Sequence, residues 1–380
     1  MYYNTLCDEY ISALGFGLMR LPTKDGEIEK KKAEELIEQA YDKGINYFDT
    51  AYGYLNGKAE TFAGEVLSNH QRKTWKIATK MPGHMLRSSD GKLTYKGYMR
   101  DRDSESIDAI FHNQLVNLKT DYVDFYLLHN VNKYSIDIYL NPQIGIIDYL
   151  LKKKISGEVR HLGFSFHGNT DLLELFLNRC KDVFEFVQIQ LNYYDWFFGD
   201  AKYQYMLLTD MNIPVIAMEP LRGGRLVDNS SCISTIEGDL CGPELALAFL
   251  QDLENVKLVL SGMSNKRQMK DNLNIYQNKR GLSSVYYEDL KKLASRLESM
   301  IMCTGCSYCT EVCPKRIDIP TIMEYYNKMI SGELTEFDND SNGIFNCIYC
   351  RECEKVCPQE IKPYEILNIM KTIEEQGKAR

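Results

Sequence analysis

The chain predicts an α/β protein: a (β/α)8 barrel over residues 1–281, followed by a small, mostly helical domain over residues 282–380. Three observations carry this. Eight short apolar, β-rich runs alternate with helical patterns through the first 280 residues, the pattern of a (β/α)8 or TIM barrel. The first run, in LGFGLMRLP, lacks the Gly-rich turn that would open a doubly wound sheet. Eight of the twelve cysteines fall in two copies of one spacing beyond residue 300.

The eight runs are Leu14–Met19, Ile45–Asp49, Trp75–Thr79, Tyr122–Leu128, His161–Ser165, Phe186–Leu191, Val215–Met218 and Lys257–Leu260. Between them, Ala33, Leu36, Ile37, Ala40 and Tyr41 make one helical apolar face, closed by Gly44. Ile107, Ile110, Phe111, Leu115 and Leu118 make another. Pro243 opens a third helix, Glu244–Leu253, as a first-turn proline. Two connections are longer than a barrel needs: the polar Gly83–Ser104 and the segment Asn130–Gly145 with Tyr134 and Tyr139. Both follow strands, so both belong to the face where barrel active sites sit. They read either as lids and substrate walls or as surface decoration.

The cysteine runs are Cys303, Cys306, Cys309, Cys313 before Pro314, and Cys347, Cys350, Cys353, Cys357 before Pro358. Both read C-x2-C-x2-C-x3-C-P, the bacterial ferredoxin pattern for two [4Fe–4S] clusters. The fourth cysteine of such a run usually ligates the other cluster. One set is therefore expected to be Cys303, Cys306, Cys309 and Cys357; the other is Cys347, Cys350, Cys353 and Cys313. Zinc sites use two separated C-x-x-C pairs and have no need of this duplication. Ile319, Ile322, Met323, Tyr326 and Ile330 have helical spacing between the runs. Ile366, Leu367, Ile369, Met370 and Ile373 form a second amphipathic helix after them. This ferredoxin-like iron–sulfur domain resembles the helical modules of respiratory iron–sulfur subunits.

The start MYYNTLCDEY has no basic residue followed by an apolar run, so a reducing cytoplasmic setting is expected and disulfides are not. Cys7, Cys180, Cys232 and Cys241 read as small buried side chains with no role. No apolar stretch approaches membrane-spanning length. The net charge is −8, which disfavours nucleic acid as a partner. Residues 282–380 carry 12 basic and 16 acidic side chains. Each oxidised cluster with its four thiolates adds about −2 to that.

Four polar residues fall at or just after the ends of successive strand runs. Asp49 ends INYFDTA, Tyr54 follows in AYGY, Lys80 ends WKIATK, and His129 ends YVDFYLLH. Here the chain resembles the aldo-keto reductase family, whose barrel carries an Asp, Tyr, Lys, His tetrad in this order. The resemblance spans roughly residues 10–275 of the barrel and extends to iron–sulfur members of that family. The chemistry agrees. Carbonyl reduction needs hydride at carbon and a proton at oxygen. A free tyrosine has a pKa of about 10, and Lys80 beside Tyr54 would lower it. Asp49 would keep Lys80 charged. His129 would orient the carbonyl oxygen, leaving Tyr54 as general acid, or as base in alcohol oxidation. Tyr52 has the wrong spacing from Asp49 for this role.

The resemblance also implies a nicotinamide dinucleotide across the barrel mouth. Ser165 and Gln188 match the carboxamide contacts. Phe166 stands where Asn is usual, with His167 as a substitute, and Met218 stands where an aromatic stacks on the ring. Glu219 puts a negative charge near the pyrophosphate. Leu221, Arg222, Gly223 and Gly224 would form the phosphate loop, with Arg222 as counter-charge. Gly262 and Gln268 occupy the places that hold cations in NADPH-preferring members, with Lys266 and Arg267 adjacent. Asp271 and Asn272 match adenine contacts. NADH, or use of both NADH and NADPH, is therefore the expectation. Tyr193, Tyr194, Trp196, Phe197 and Phe198 read either as pocket wall or as packing.

The first functional expectation is an NAD(P)-dependent oxidoreductase (EC 1.1.1.-) acting on a small carbonyl or alcohol. The alternative couples a ferredoxin-type redox partner to a redox group bound in the barrel. Hydride carries two electrons and a cluster takes one; a flavin usually bridges the two, and no flavin motif is evident. An inactive sensing barrel has no need of an intact tetrad.

Overall fold

The computed structural model describes residues 1–380 except 90–91, 96–105, 228–231, 237, 334–342 and 379–380. Eight parallel strands close into a barrel in chain order. They are β1 (Leu14–Gly17), β2 (Tyr47–Asp49), β3 (Lys76–Met81), β4 (Val123–Val131), β5 (Val159–Phe166), β6 (Phe186–Gln190), β7 (Val215–Met218) and β8 (Val256–Ser261). Each of the eight expected runs overlaps one of them. β4 is buried along all nine residues, as a parallel strand covered on both faces must be.

Tyr47, Ala78, Phe125, Leu127, Phe186, Ile216 and Leu258 fill the barrel interior. An N-terminal hairpin, Tyr3–Leu6 with Glu9–Ser12, adds Leu6 and Ile11 to that cluster. Bulk on one strand is matched by its absence on the next: a Cβ on Gly163 would lie 2.5 Å from the Phe186 ring. Outside, Ala33, Leu36, Ile37 and Ala40 bury one face of the helix Lys30–Asp42. Ser106 caps the helix Ile107–Leu118 by accepting from the Ala109 N–H at 3.1 Å. The expected first-turn proline opens Gly242–Gln251.

The long connections resolve differently. Asn130–Gly145 contains a short helix, Ile136–Leu140. Buried Tyr139 places its hydroxyl 3.0 Å from the Met81 carbonyl and 2.5 Å from that of His129, so this segment braces two strand ends. In Gly83–Ser104, a turn at Gly83–Met85 leads into a hairpin, Leu86–Ser89 with Lys92–Tyr95. Residues 90–91 and 96–104 of that segment lie outside the described residues.

One expectation is corrected. Cys232 and Cys241 form a disulfide. They are direct cross-strand partners in a hairpin after β7, a proximity set by strand pairing that no spacing signal announced.

The helix Tyr287–Ser295 buries Leu290, Leu293 and Ala294 against the barrel's core. A separate apolar cluster follows, with Ile317, Ile322, Met323, Ile344, Leu367 and Met370 at its centre. Its main helices are Ile319–Ile330 and Pro363–Lys378. The first joins the two cysteine runs, as the periodicity predicts. Among the described residues no helix is long and apolar enough to cross a membrane.

Helices Ala59–Leu67 and Ile107–Leu118 approach so closely that a Cβ on Gly64 would strike the Asn117 carbonyl and sit 2.8 Å from Leu118 backbone. Gly64→Ala is therefore expected to destabilise the fold by about 3 kcal/mol through overpacking, read as a lowered denaturant midpoint with an unchanged slope.

Candidate active site and cysteine centres

Parallel closure puts every strand's last residues on one rim. Gly17 pairs in register with Asp49, and Lys80 with Leu127. A cleft of about 980 Å³ opens there. Asp49, Tyr54 and His129 line it; Lys80 lies wholly buried behind. The Lys80 ammonium donates to Asp49 Oδ1 and to the Thr50 carbonyl, both at 2.7 Å. It sits 5.0 Å from the centre of the Tyr54 ring. The His129 ring meets Tyr54 edge-on at 5.5 Å and His84 at 4.4 Å. Asp49 Oδ2 and His129 Nδ1 are buried without partners among the described residues.

Burial decides the protonation states. It pushes the Tyr54 phenol well above its ordinary value, and the charges of Asp49 and Glu219 add to this. That reverses the expected lowering by Lys80. The reason is burial, and the lysine's own hydrogen bonds go to Asp49 and Thr50. Burial also pulls the Lys80 ammonium down, opposed by Asp49. Burial, then His84 and Lys80, hold His129 well below its usual range, so its ring is neutral.

The residues proposed for a dinucleotide divide. Ser165, Gln188, Leu221, Gly223, Gly262, Gln268, Asp271 and Asn272 all line the cleft. Ser165 Oγ accepts from the Asn130 N–H at 2.8 Å. Gln188 donates to Met218 Sδ at 3.3 Å, and its buried Oε1 has no partner among the described residues. Phe166 packs into the core against Phe164, while His167 faces the cleft. Gln268 Oε1 accepts from the Ser264 N–H at 2.8 Å, and Asn272 donates to Ser261 Oγ at 2.9 Å. Lys266 pairs with Glu35 at 2.8 Å.

Arg222 requires a correction. It is buried and ion-paired with Asp195, not turned to the cleft. Asp195 also accepts from Asn192 at 2.6 Å and Gln190 at 2.8 Å. The sequence signal for this pair was weak, because 27 positions separate its members. Trp196 and Tyr193 pack in the barrel's core cluster, so this part of the aromatic run is packing.

Residues missed by sequence reasoning also line the cleft. Arg20 lies 3.5 Å from Glu219 and donates to the Thr304 carbonyl at 2.6 Å. Glu219 accepts from the Gly223 N–H at 2.8 Å. Thr304, Cys306, Tyr308, Pro358 and Gln359 enter the same cleft from the C-terminal domain. Their role depends on how that domain docks, which motif spacing does not encode.

The eight motif cysteines gather into two sets. Cys303, Cys306, Cys309 and Cys357 line one small cavity; Cys313, Cys347, Cys350 and Cys353 line another. Burial pushes the thiols of Cys306 and Cys353 up to about 12, whereas a bound soft metal ion would hold such groups as thiolates.

A closed barrel with this cleft and a cysteine-rich cap defines an oxidoreductase carrying an iron–sulfur domain. Residues 13–238 match the aldo/keto reductase family and residues 302–361 the 4Fe-4S dicluster domain. The chain belongs to the aldo/keto reductase family. An uncharacterized oxidoreductase of Bacillus subtilis, YqkF, is 27% identical over 317 residues, spanning 77% of this chain and 94% of its own. L-galactose dehydrogenase of Arabidopsis thaliana is 26% identical, over 69% of this chain and 83% of its own. The fold matches the holo form of aldo-keto reductase AKR11C1 from Bacillus halodurans. The TM-score is 0.59 at 24% identity, over 77% of this chain and 96% of that one.

Asp195→Ala would leave the Arg222 guanidinium buried and unpaired. The expected cost is about 3 kcal/mol of stability, read by denaturant unfolding.

Proposed function

We propose that the protein is an NAD(P)-dependent oxidoreductase that reduces a carbonyl, or oxidises the matching alcohol, with Tyr54 as general acid and base. The observation that carries this is the convergence of Tyr54, His129 and the Asp49–Lys80 pair at one cleft. The unpaired Gln188 Oε1 suits a carboxamide N–H, and Ser165 stands in the same wall. Gly223 and Leu221 would flank the diphosphate; Asn272 and Asp271 would flank the adenine. A bound dihydronicotinamide supplies hydride. Neutral His129 orients the carbonyl oxygen through a ring N–H, and protonated Tyr54 delivers the proton. Lys80, kept charged by Asp49, is the cation that would stabilise the phenolate left behind. Because Gly262 and Gln268 carry no charge, NADH or dual use is favoured. The relative named NADH-specific methylglyoxal reductase, from Escherichia coli, is 26% identical over 48% of its length.

The two cysteine sets would hold two [4Fe–4S] clusters, and soft thiolates in fours suit that group. A second reading is electron exchange between a ferredoxin-type carrier and a group in the cleft. One observation favours it: Cys306 lines the cleft together with Tyr54. Loss of the visible iron–sulfur absorbance on adding NADH without a carbonyl would support that reading.

Tyr54→Phe should lower carbonyl reduction by about 10²–10⁴-fold with NADH affinity little changed. In the parent protein the acid form of Tyr54 persists as pH rises, since its pKa is shifted upward. Reduction should therefore show no loss attributable to Tyr54 below about pH 10. A limb at pH 8–9 that disappears in Tyr54→Phe would contradict this. Cys306→Ser should lose iron and visible absorbance; unchanged iron content would remove Cys306 from the ligand set.

A further inference from the structure

Far from the cleft, at the opposite end of the barrel, three side chains able to bind a metal converge. They are Cys7, His161 and Glu185, and one ligand atom from each lies within 4.8 Å of the other two. Cys7 sits at the tip of the N-terminal hairpin, His161 near the start of β5, and Glu185 just before β6. Sequence spacing does not announce the group: Glu185 lies 178 positions from Cys7 and 24 from His161. Strand order and the hairpin plug bring them together.

The contacts already have the form of a ligand set. His161 Nδ1 lies 3.1 Å from Glu185 Oε2. Cys7 Sγ points at the Glu185 carbonyl, 3.7 Å away. The other carboxylate oxygen, Oε1, accepts from the Leu162 N–H at 2.9 Å and pairs with Lys154 at 2.7 Å. Those two partners fix the carboxylate so that Oε2 is the oxygen turned to His161, as outer partners fix a metal ligand. The His161 ring is held flat against Phe125, 5.2 Å between centres. All three side chains are half-buried, so an ion can reach them from solvent.

The hairpin turn adds an independent observation. Leu6 pairs with Glu9, leaving Cys7 and Asp8 as the two turn residues, with φ of 49° and 67°. Such a turn favours Asn and Gly. A cysteine there is backbone-disfavoured, and it is the residue whose side chain reaches β5 and β6.

We propose that Cys7, His161 and Glu185 form a zinc site that clasps the hairpin plug to the starts of β5 and β6. Thiolate, imidazole and carboxylate are the ligand types zinc takes, whereas calcium and magnesium take oxygen alone. Ligand atoms at about 2.0–2.3 Å from a tetrahedral zinc stand roughly 3.5 Å apart. Reaching that spacing takes about 1 Å of side-chain movement. The Cys7 thiol loses its proton to solvent as the metal binds. The thiolate and carboxylate then balance the dication, and water takes the fourth position.

The test uses anaerobically purified, iron-loaded protein dialysed against low-micromolar zinc, with zinc and iron measured in the same sample. The expected result is about one zinc per chain at unchanged iron. Its X-ray absorption edge should show one sulfur at about 2.3 Å, with nitrogen and oxygen at about 2.0–2.2 Å. Cys7→Ser and His161→Gln should each weaken zinc binding by at least about 10-fold with iron content unchanged. No retained zinc, a shell of sulfur alone, or undiminished binding in either variant would overturn the proposal. A sulfur-only shell would place the zinc in the motif cysteines. If a variant fails to fold, the sulfur count in the parent protein decides.

Discussion

Eight parallel strands closed in a ring leave their C-terminal ends on one rim, and every feature of the cleft depends on that closure. Asp49, Lys80, His129, Ser165, Gln188, Met218 and Ser261 sit at or near the ends of seven strands. They are distant in sequence and neighbours in space because each strand pairs in parallel with the next. The interior below them is filled by large apolar side chains and plugged by the N-terminal hairpin. The rim is therefore a rigid floor for chemistry.

That floor contains a buried charge, which is expensive unless paired and fully hydrogen-bonded. Lys80 is paired through Asp49 and Thr50, which take two of its three N–H groups, while Asp49 Oδ2 has no partner among the described residues. Its own carbonyl accepts from Gln114 at 3.0 Å. Gln114 also donates to Glu60 at 2.7 Å and accepts from the Tyr126 hydroxyl at 2.5 Å. Glu60 accepts in turn from the Thr79 hydroxyl at 2.5 Å. A chain of buried polar groups thus ties the lysine's strand to helices Ala59–Leu67 and Ile107–Leu118. Gly64 lets those two helices approach closely. Such networks resist displacement because any broken link leaves a polar group unsatisfied.

The iron–sulfur domain makes the mouth of the barrel different from an open rim. It contributes its own cysteine to the cleft wall and is fastened through Thr304 and Gln359. Folding of a metal-dependent module is coupled to metal binding.

Much of this was legible in the residues. The eight strand runs, the helix between the cysteine runs and the first-turn proline at Pro243 all follow from periodicity and local stereochemistry, which a single segment carries by itself. The tetrad positions came from the family resemblance, and the two cysteine sets from the duplicated run, whose fourth cysteine ordinarily crosses to the other set. What tertiary structure decided was pairing. Arg222 was spent on Asp195, Arg20 took a place beside Glu219, and Cys232 met Cys241. The Tyr54 phenol rose where a neighbouring lysine suggested a fall, since burial and competing hydrogen bonds outweighed proximity. The sequence by itself determined which elements form and which chemical groups reach the rim. Only the packed chain decided which of those charges are already compensated, because desolvation and partner choice are properties of the assembled surroundings.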